Sequence, residues 1–276
     1  MPLSAYAAKQ PPTKENEKPV TVLVTGFGPF LSKYPKNSSW EIASTLPALI
    51  PASPDNKTPI HIHVHQEAIR VAYKTVLTLV PNLLPPANPL CPAPDIILHI
   101  GLAAGRNYFA IEQGSHGRGY GKIPDVDGQR FDDDAAESAF PASKFPEELT
   151  TSFNISDVLA RWKVGLGHPA VDDGARKDKR FPDVRISTNA GNFLCGFIYY
   201  NSLAHYFEIK QDERPVVFLH VPDLSGSGDK LREGWNVTVG LIKALVESRR
   251  KLGVVDDGMR RNAGGDRGVQ TDDNFA

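Results

Sequence analysis

The residue with the clearest chemical potential in this sequence is Cys195, one of two cysteines in the chain. It follows a strand-like segment at 184–187 and a short Asn189-Ala190-Gly191 turn, where a helical pattern begins. A thiol near a helix N-terminus lies at the positive end of the helix dipole, which favours the nucleophilic thiolate. A small buried core residue is the alternative interpretation, because most unpaired cysteines pack in cores.

A candidate base for this thiol is His220, which lies near the end of the apolar run 215–221. It follows Cys195 by one helix and one strand, and such a crossover brings the ends of neighbouring strands to one edge of a sheet. We therefore expect that the imidazole can take the thiol proton. A structural histidine with satisfied hydrogen bonds is the alternative.

A cysteine–histidine pair also needs a third group that orients the imidazole. Two carboxylates are candidates: Glu112 ends the apolar segment 108–112, and Asp125 lies in the glycine-rich stretch 114–128. The residue pattern alone leaves both open.

The bulk composition excludes several classes of function. The chain has 31 basic and 32 acidic residues and a net charge of −1, so electrostatics give no reason to expect nucleic acid or an anionic membrane as partner. No apolar run approaches the roughly 18–20 residues of a membrane span. Two cysteines do not make a disulfide scaffold, and we find no secretory-type apolar segment at the start, so we expect a cytoplasmic protein.

The elements that must position these residues alternate between strand and helix. Predicted strands cover 20–25, 60–65, 95–100, 108–112, 184–187 and 215–221, and predicted helices cover 38–49, 68–84, 154–164, 192–209 and 230–252. Such alternation predicts an α/β fold, a three-layer α/β/α sandwich around a mostly parallel twisted sheet. We expect a capping Ser38 or Ser39, an irregular 132–145 and a charged surface insertion at 168–182.

The domain organisation follows from composition. Residues 1–18 and 255–276 are polar and are predicted to be disordered tails, whereas 19–254 form a single α/β domain. His61, His63 and His65 alternate along one strand, and we interpret them as an exposed polar face rather than a metal site. The glycines at 101 and 105 follow a strand but lack the spacing of a dinucleotide-binding loop. We therefore predict neither metal nor cofactor.

Five blocks of residues, in order along 20–252, resemble the pyroglutamyl peptidase I family of cysteine peptidases. They are Thr25-Gly26-Phe27-Gly28-Pro29-Phe30 with Asn37-Ser38-Ser39-Trp40-Glu41, His99-Ile100-Gly101-Leu102-Ala103-Ala104-Gly105-Arg106 up to Glu112, Lys122-Ile123-Pro124-Asp125, Ala190-Gly191-Asn192-Phe193-Leu194-Cys195, and Phe218-Leu219-His220-Val221-Pro222. The resemblance implies removal of an N-terminal pyroglutamyl residue from peptides through a thioacyl-enzyme, without a cofactor. It also implies that Glu112, rather than Asp125, completes the triad. It leaves open whether the protein is a monomer or a homo-oligomer.

The resemblance further implies a pocket for the small, uncharged lactam ring. Phe27 and Phe30 would sandwich the ring, although core packing is an alternative for both. The remaining implied contacts come from Asn37 on the lactam carbonyl, the Leu102 carbonyl on the lactam N–H, Lys122 near the oxyanion, and Phe193 and Leu194 beside the thiol.

Several positions depart from the family pattern. Lys122 stands where the family has arginine, Gly196 stands where it has asparagine, and 113–117 differ from the segment that usually follows the acid. Two alternatives therefore stay open: a pyroglutamyl-binding homologue with little activity, and a hydrolase for another blocked N-terminus.

Overall fold

The computed structural model describes residues 18–32, 35–54, 56–90, 92–169 and 181–253. Nearly all of both predicted tails, most of the 168–182 insertion and Cys91 lie outside these ranges. The described strands are β1 (Val20–Gly26), β2 (Leu49–Ile50), β3 (Ile60–Val64), β4 (Ile96–Leu102), β5 (Phe109–Glu112), β6 (Gly114–His116), β7 (Glu148–Thr150), β8 (Val184–Ser187) and β9 (Val216–Val221). The described helices are α1 (Ser38–Ala43), α2 (Tyr73–Leu83), α3 (Asp133–Ala139), α4 (Ile155–Gly165), α5 (Leu194–Ile209) and α6 (Gly228–Leu252).

Seven strands form one mixed sheet in the order β2-β3-β1-β4-β9-β5-β8, and β6 pairs with β7 in a small second sheet. The pairs β3–β1, β1–β4, β4–β9 and β5–β8 are parallel. The pairs β2–β3 and β9–β5 are antiparallel. The predicted mostly parallel α/β sheet is therefore confirmed.

Helices cover both faces of this sheet, because its strands are apolar on both sides. Along β4, Ile96 and Leu98 pack into one hydrophobic cluster and Ile97 into the other, as the alternation of side chains along a strand requires. Helices α1, α4 and α6 pack in the cluster that contains Ile96 and Leu98, and helices α2 and α5 pack in the cluster that contains Ile97. The result is the predicted three-layer sandwich.

Helix α5 is enclosed on nearly every side. Twelve of its sixteen residues are buried, because α5 lies against the sheet on one side and against α2, β6 and β7 on others. This explains why its sequence is apolar around the whole helix rather than along one stripe.

Two predicted helix boundaries are wrong for identifiable reasons. Helix α1 ends at Ala43 rather than near residue 49, because Pro47 restricts the residue before it and the chain then enters β2. Its cap is Asn37, whose Oδ1 accepts from the Ser39 N–H at 3.1 Å, rather than Ser38 or Ser39. Helix α2 begins at Tyr73 rather than 68, because Ile69 first pairs with Phe27 in a parallel bridge.

The prediction that 132–145 is irregular is also wrong. Helix α3 occupies Asp133–Ala139, and the Asp132 carboxylate caps it by accepting from the Ala135 N–H at 2.9 Å. Asp133 and Asp134 lie in its first turn, where negative charge is favourable. This acidic helix start is visible in the sequence as a run of three aspartates.

A series of buried side-chain hydrogen bonds connects the sheet to α5. His99 on β4 is fully buried, with Nδ1 2.7 Å from the Thr25 hydroxyl on β1 and Nε2 2.9 Å from the Ser202 hydroxyl on α5. Burial lowers the pKa of His99 from 6.5 to about 3, because the charged imidazolium would lose its water. His99 therefore acts as a neutral link between strand and helix.

This neutral histidine should make the fold acid-sensitive. Between pH 6.5 and about pH 3, His99 is protonated in the unfolded chain but neutral in the folded chain. The free energy of unfolding therefore falls as the pH drops through this range. The His99 contribution is at most about 1.4 kcal/mol per pH unit. Urea unfolding of His99→Gln at about pH 7 and about pH 5 should show a smaller loss of free energy than wild type. The control, His61→Gln on an exposed position of β3, should keep the wild-type dependence; the same loss in all three proteins would contradict the assignment.

Candidate active site

The pairing of β5 with β9 places the candidate acid beside the candidate base. His220 pairs with Ala110, and Glu112 pairs with Phe218 two residues earlier, so Glu112 and His220 are diagonal neighbours on one face of the sheet. Glu112 Oε1 lies 2.7 Å from His220 Nδ1. The side chains of Glu112 and His220 are only 0% and 3% exposed. Because β5 runs antiparallel to β9, Glu112 approaches His220 from the opposite strand direction. We expected the crossover from β8 through α5 to β9 to join neighbouring strands and so bring Cys195 and His220 together, but β5 lies between β8 and β9.

Cys195 lies over the strand that neighbours His220. It is the second residue of α5, and a Cβ built on Gly101 of β4 would lie 2.7 Å from its Sγ. Gly101 pairs directly with His220 across the β4–β9 ladder, so the sulfur lies over the strand next to the one that carries the imidazole. The thiol is not part of a disulfide and is 7% exposed. A small residue at 101 is thus a steric requirement for seating the thiol.

Asp125, the other candidate acid, is used by the local backbone. Its Oδ2 accepts from the Tyr73 N–H at 2.9 Å, and its Oδ1 accepts from the N–H groups of Asp127 and Gln129, each at 2.9 Å. It therefore caps α2 and shapes the turn that follows it. The carboxylate that contacts the imidazole is Glu112.

Sequence reasoning missed Arg106, which also contacts the acid. Its Nη1 lies 2.8 Å from Glu112 Oε1, and its Nη2 donates to the Asn189 carbonyl at 3.1 Å. The available signal was a basic residue six positions before the acid, at the end of the glycine-containing loop after β4.

The turn before α5 accounts for the departure at Gly196. Gly191 has a φ of +81°, and its carbonyl oxygen would lie 2.1 Å from a Cβ at position 196. Any side chain at 196 would therefore displace this turn. The Ser115 hydroxyl donates to the Gly196 carbonyl at 2.7 Å, which links the altered segment 113–117 to the first turn of α5.

Tyr120 supports the same segment as a neutral donor. Burial raises the pKa of its phenol well above the usual range, and its hydroxyl donates to the His116 carbonyl at 2.6 Å. The same oxygen lies 3.3 Å from the Ser115 hydroxyl. The departures at 113–117 and at Gly196 thus form one packed arrangement against the helix that carries Cys195.

Most of the predicted pocket residues lie in one cluster with the thiol. Phe27, Phe193 and Leu194 are buried in the hydrophobic cluster that also contains Cys195. Phe30 is partly buried, with its ring centroid 6.3 Å from that of Phe193. Leu102 is buried on β4, directly after Gly101.

Two predicted binding residues also make contacts of their own. The Asn37 amide holds its own loop, because Nδ2 donates to the Gly28 carbonyl at 2.9 Å and Oδ1 accepts from Ser39. Lys122 is exposed on the surface, and its carbonyl accepts from the Arg130 guanidinium. We therefore do not extend to Lys122 the role beside the oxyanion that the resemblance implied.

The described residues contain no group of three or more histidine, cysteine or acidic side chains that could hold a metal ion. Within the same part of the chain, no helix is long and apolar enough to cross a membrane.

Known proteins with similar sequences are peptidases. Residues 20–149 match the family model described as pyroglutamyl peptidase. Human pyroglutamyl-peptidase 1 is 29% identical over 203 residues, which are 74% of this chain and 79% of the human protein. Pyrrolidone-carboxylate peptidase 1 of Ralstonia nicotianae is 29% identical over 204 residues, with the same two coverages.

Known structures show the same fold. A mutant pyrrolidone carboxyl peptidase from Pyrococcus furiosus superposes with a TM-score of 0.58 at 23% identity, covering 83% of this chain and 99% of that one. The enzyme from Thermus thermophilus gives a TM-score of 0.54 at 24% identity, with coverages of 82% and 99%.

The close contact at Gly196 generates a stability prediction. Gly196→Ala should lower the free energy of unfolding by about 1–3 kcal/mol, because the new methyl group meets the Gly191 carbonyl. Gly165→Ala, on a helix position with open space around it, should be neutral or stabilising by up to about 1 kcal/mol. Urea unfolding measures both. Equal stability of Gly196→Ala and wild type would show that the turn is not held against α5.

Proposed function

Since the chain belongs to the pyroglutamyl peptidase family, we propose that it removes the N-terminal pyroglutamyl residue from peptides by cysteine catalysis. The observation that carries this proposal is the 2.7 Å contact between His220 on β9 and Glu112 on β5, together with the position of Cys195 over Gly101 of β4, the other neighbour of β9. A thiol, an imidazole and a carboxylate in this order can generate and use a thiolate.

In the proposed reaction, His220 takes the proton from the Cys195 thiol, and the sulfur attacks the carbonyl carbon that follows the lactam ring. Because Nδ1 faces Glu112, Nε2 is the nitrogen that carries this proton. His220 then gives the proton to the leaving amine, and the C–N bond breaks to leave a thioester. Water, deprotonated by the same imidazole, hydrolyses the thioester and restores the thiol.

The developing negative charge on the substrate oxygen needs donors that are already in place. We assign the Cys195 main-chain N–H, at the start of α5, as one such donor.

For the lactam ring, we propose a wall formed by Phe27, Phe30, Phe193 and Leu194. Apolar surroundings suit a small, uncharged ring that needs only a few fixed hydrogen bonds. The Leu102 carbonyl would accept the lactam N–H. Asn37 uses one amide hydrogen on Gly28, and its second is proposed for the lactam carbonyl.

The expected partner is therefore a peptide with an N-terminal pyroglutamate. Catalysis requires Cys195 as a thiol, so we place the protein in a reducing compartment, the cytoplasm.

A second candidate function is binding of pyroglutamyl peptides with little turnover. It is favoured by the departures from the family pattern in the segment 113–117, which contacts the first turn of α5 through the Ser115–Gly196 hydrogen bond.

Cleavage of a pyroglutamyl fluorogenic amide distinguishes these functions. Wild type should release the fluorophore, and Cys195→Ala should lose more than about 1,000-fold of kcat because the nucleophile is gone. Glu112→Gln should lose about 100-fold or more, since a neutral amide no longer stabilises the imidazolium. The control, Cys91→Ala, should keep wild-type kcat.

Two further readouts separate the alternatives. Mass spectrometry after rapid quenching should find a pyroglutamyl adduct on Cys195, whereas tight binding without adduct or turnover would favour the binding protein. A prolyl amide, which lacks the lactam carbonyl, should be cleaved poorly. Preference for a differently blocked amide would assign another N-terminus, and full activity of Cys195→Ala would remove the nucleophile assignment.

A further inference from the structure

Arg106 joins the two halves of the site. Its guanidinium lies 2.8 Å from the Glu112 carboxylate on β5 and 3.1 Å from the Asn189 carbonyl in the turn before α5. The loop that carries it is closed by an Arg106 N–H to Ala103 carbonyl bond of 2.9 Å. The Arg106 side chain is 11% exposed, so these hydrogen bonds are mostly shielded from water.

We propose that Arg106 is a positioning residue for the cysteine chemistry, acting on the acid and on the nucleophile helix together. This inference rests on the proposed function and adds to it a residue outside the triad. Arg106 does not touch the reacting atoms in this scheme; it acts through Glu112 and through Asn189.

The first path runs through the acid. Glu112 is fully buried, and its Oε1 accepts from both Arg106 and His220. A buried carboxylate is costly unless a positive partner stands beside it, and a planar guanidinium supplies that charge with fixed geometry. Arg106 thereby places a positive charge beside the buried carboxylate and holds it toward the imidazole.

The second path runs through the turn. The Asn189 side chain accepts from the Gly191 N–H at 3.0 Å, and the Gly191 carbonyl packs against Gly196 in the first turn of α5. A guanidinium bonded to the Asn189 carbonyl therefore restrains the segment that delivers the Cys195 thiol and its main-chain N–H. Two hydrogen bonds from one rigid group fix the spacing between acid and nucleophile.

Nearby, Arg185 offers a matched control. Both Arg106 and Arg185 pack on the ring of Tyr108, with guanidinium carbons 5.9 Å and 3.9 Å from its centroid. Arg185, however, pairs with Asp183, its Nη2 lying 2.6 Å from Oδ2, and its side chain is 37% exposed. Loss of Arg185 removes a charge and a ring contact from the same surroundings without removing a bond to the site.

The first test is steady-state cleavage of the pyroglutamyl amide. Arg106→Met should lower kcat by roughly 100-fold with KM within about 2-fold, because misplacement of the acid affects the reaction more than lactam binding. Arg106→Lys should recover part of kcat, since an ammonium keeps the charge beside Glu112 but cannot reproduce the double contact. Arg185→Met should retain wild-type kcat.

A double-mutant cycle then distinguishes positioning from general stability. In the Glu112→Gln background, Arg106→Met should reduce kcat much less than it does in wild type, because the carboxylate that it holds is absent. Equal losses in both backgrounds, or a lower unfolding temperature with unchanged kcat, would overturn the proposal. If Arg106→Met does not fold, the same cycle is run with Arg106→Lys.

Alkylation of Cys195 keeps this inference testable if the proposed substrate is wrong. Iodoacetamide reacts with the thiolate, so its rate at Cys195, read by mass spectrometry, should fall several-fold in Arg106→Met and stay unchanged in Arg185→Met. Slower alkylation without any cleavage by wild type would uphold the positioning role and reject the substrate. An unchanged alkylation rate in folded Arg106→Met would reject the positioning role itself.

Discussion

The antiparallel pairing of β5 with β9, inside an otherwise largely parallel core of strands, is the constraint on which the site depends. Because β5 runs opposite to β9, Glu112 pairs with Phe218, two residues before His220, and its carboxylate reaches the His220 imidazole from within the sheet. Glu112 is consequently sealed from water, and the charge on it must be matched from within the protein. The guanidinium of Arg106 meets this need, and the imidazole of His220 adds a hydrogen bond to the same carboxylate oxygen.

Much of this fold could be predicted from hydrophobic patterns. Continuous apolar runs marked β1, β4 and β9, and the long helices α5 and α6 were placed to within about two residues at each end. Errors arose where a single residue governs the local backbone: Pro47 ends the α1 region early, and Asp132 starts α3 in a segment that looked irregular. The reversed direction of β5 has no local signal, because an antiparallel strand four residues long carries the same pattern as a parallel one.

The sequence could identify candidate site residues where a reactive side chain lies at the end of a predicted strand or helix. Cys195 and His220 stand at such ends, so the sequence could single them out, but the crossover that was expected to pair them joins β8 to β9, and β5 lies between these two strands. The choice between Glu112 and Asp125 does not, because Asp125 is occupied by three main-chain N–H groups that only the folded turn brings together. Arg106 was missed because its partners, Glu112 and Asn189, converge only through tertiary structure.

The enclosure of α5 has a consequence for how a ligand could be accommodated. A helix buried on almost all sides and bonded to β4 through Ser202 and His99 cannot tilt or slide without disturbing the core. The Cys195 sulfur is therefore held in a fixed position. In the proposed pocket, adjustment to ligands of different shape would fall to Phe30, which is only partly buried, so that selectivity and reactivity would depend on different parts of the molecule.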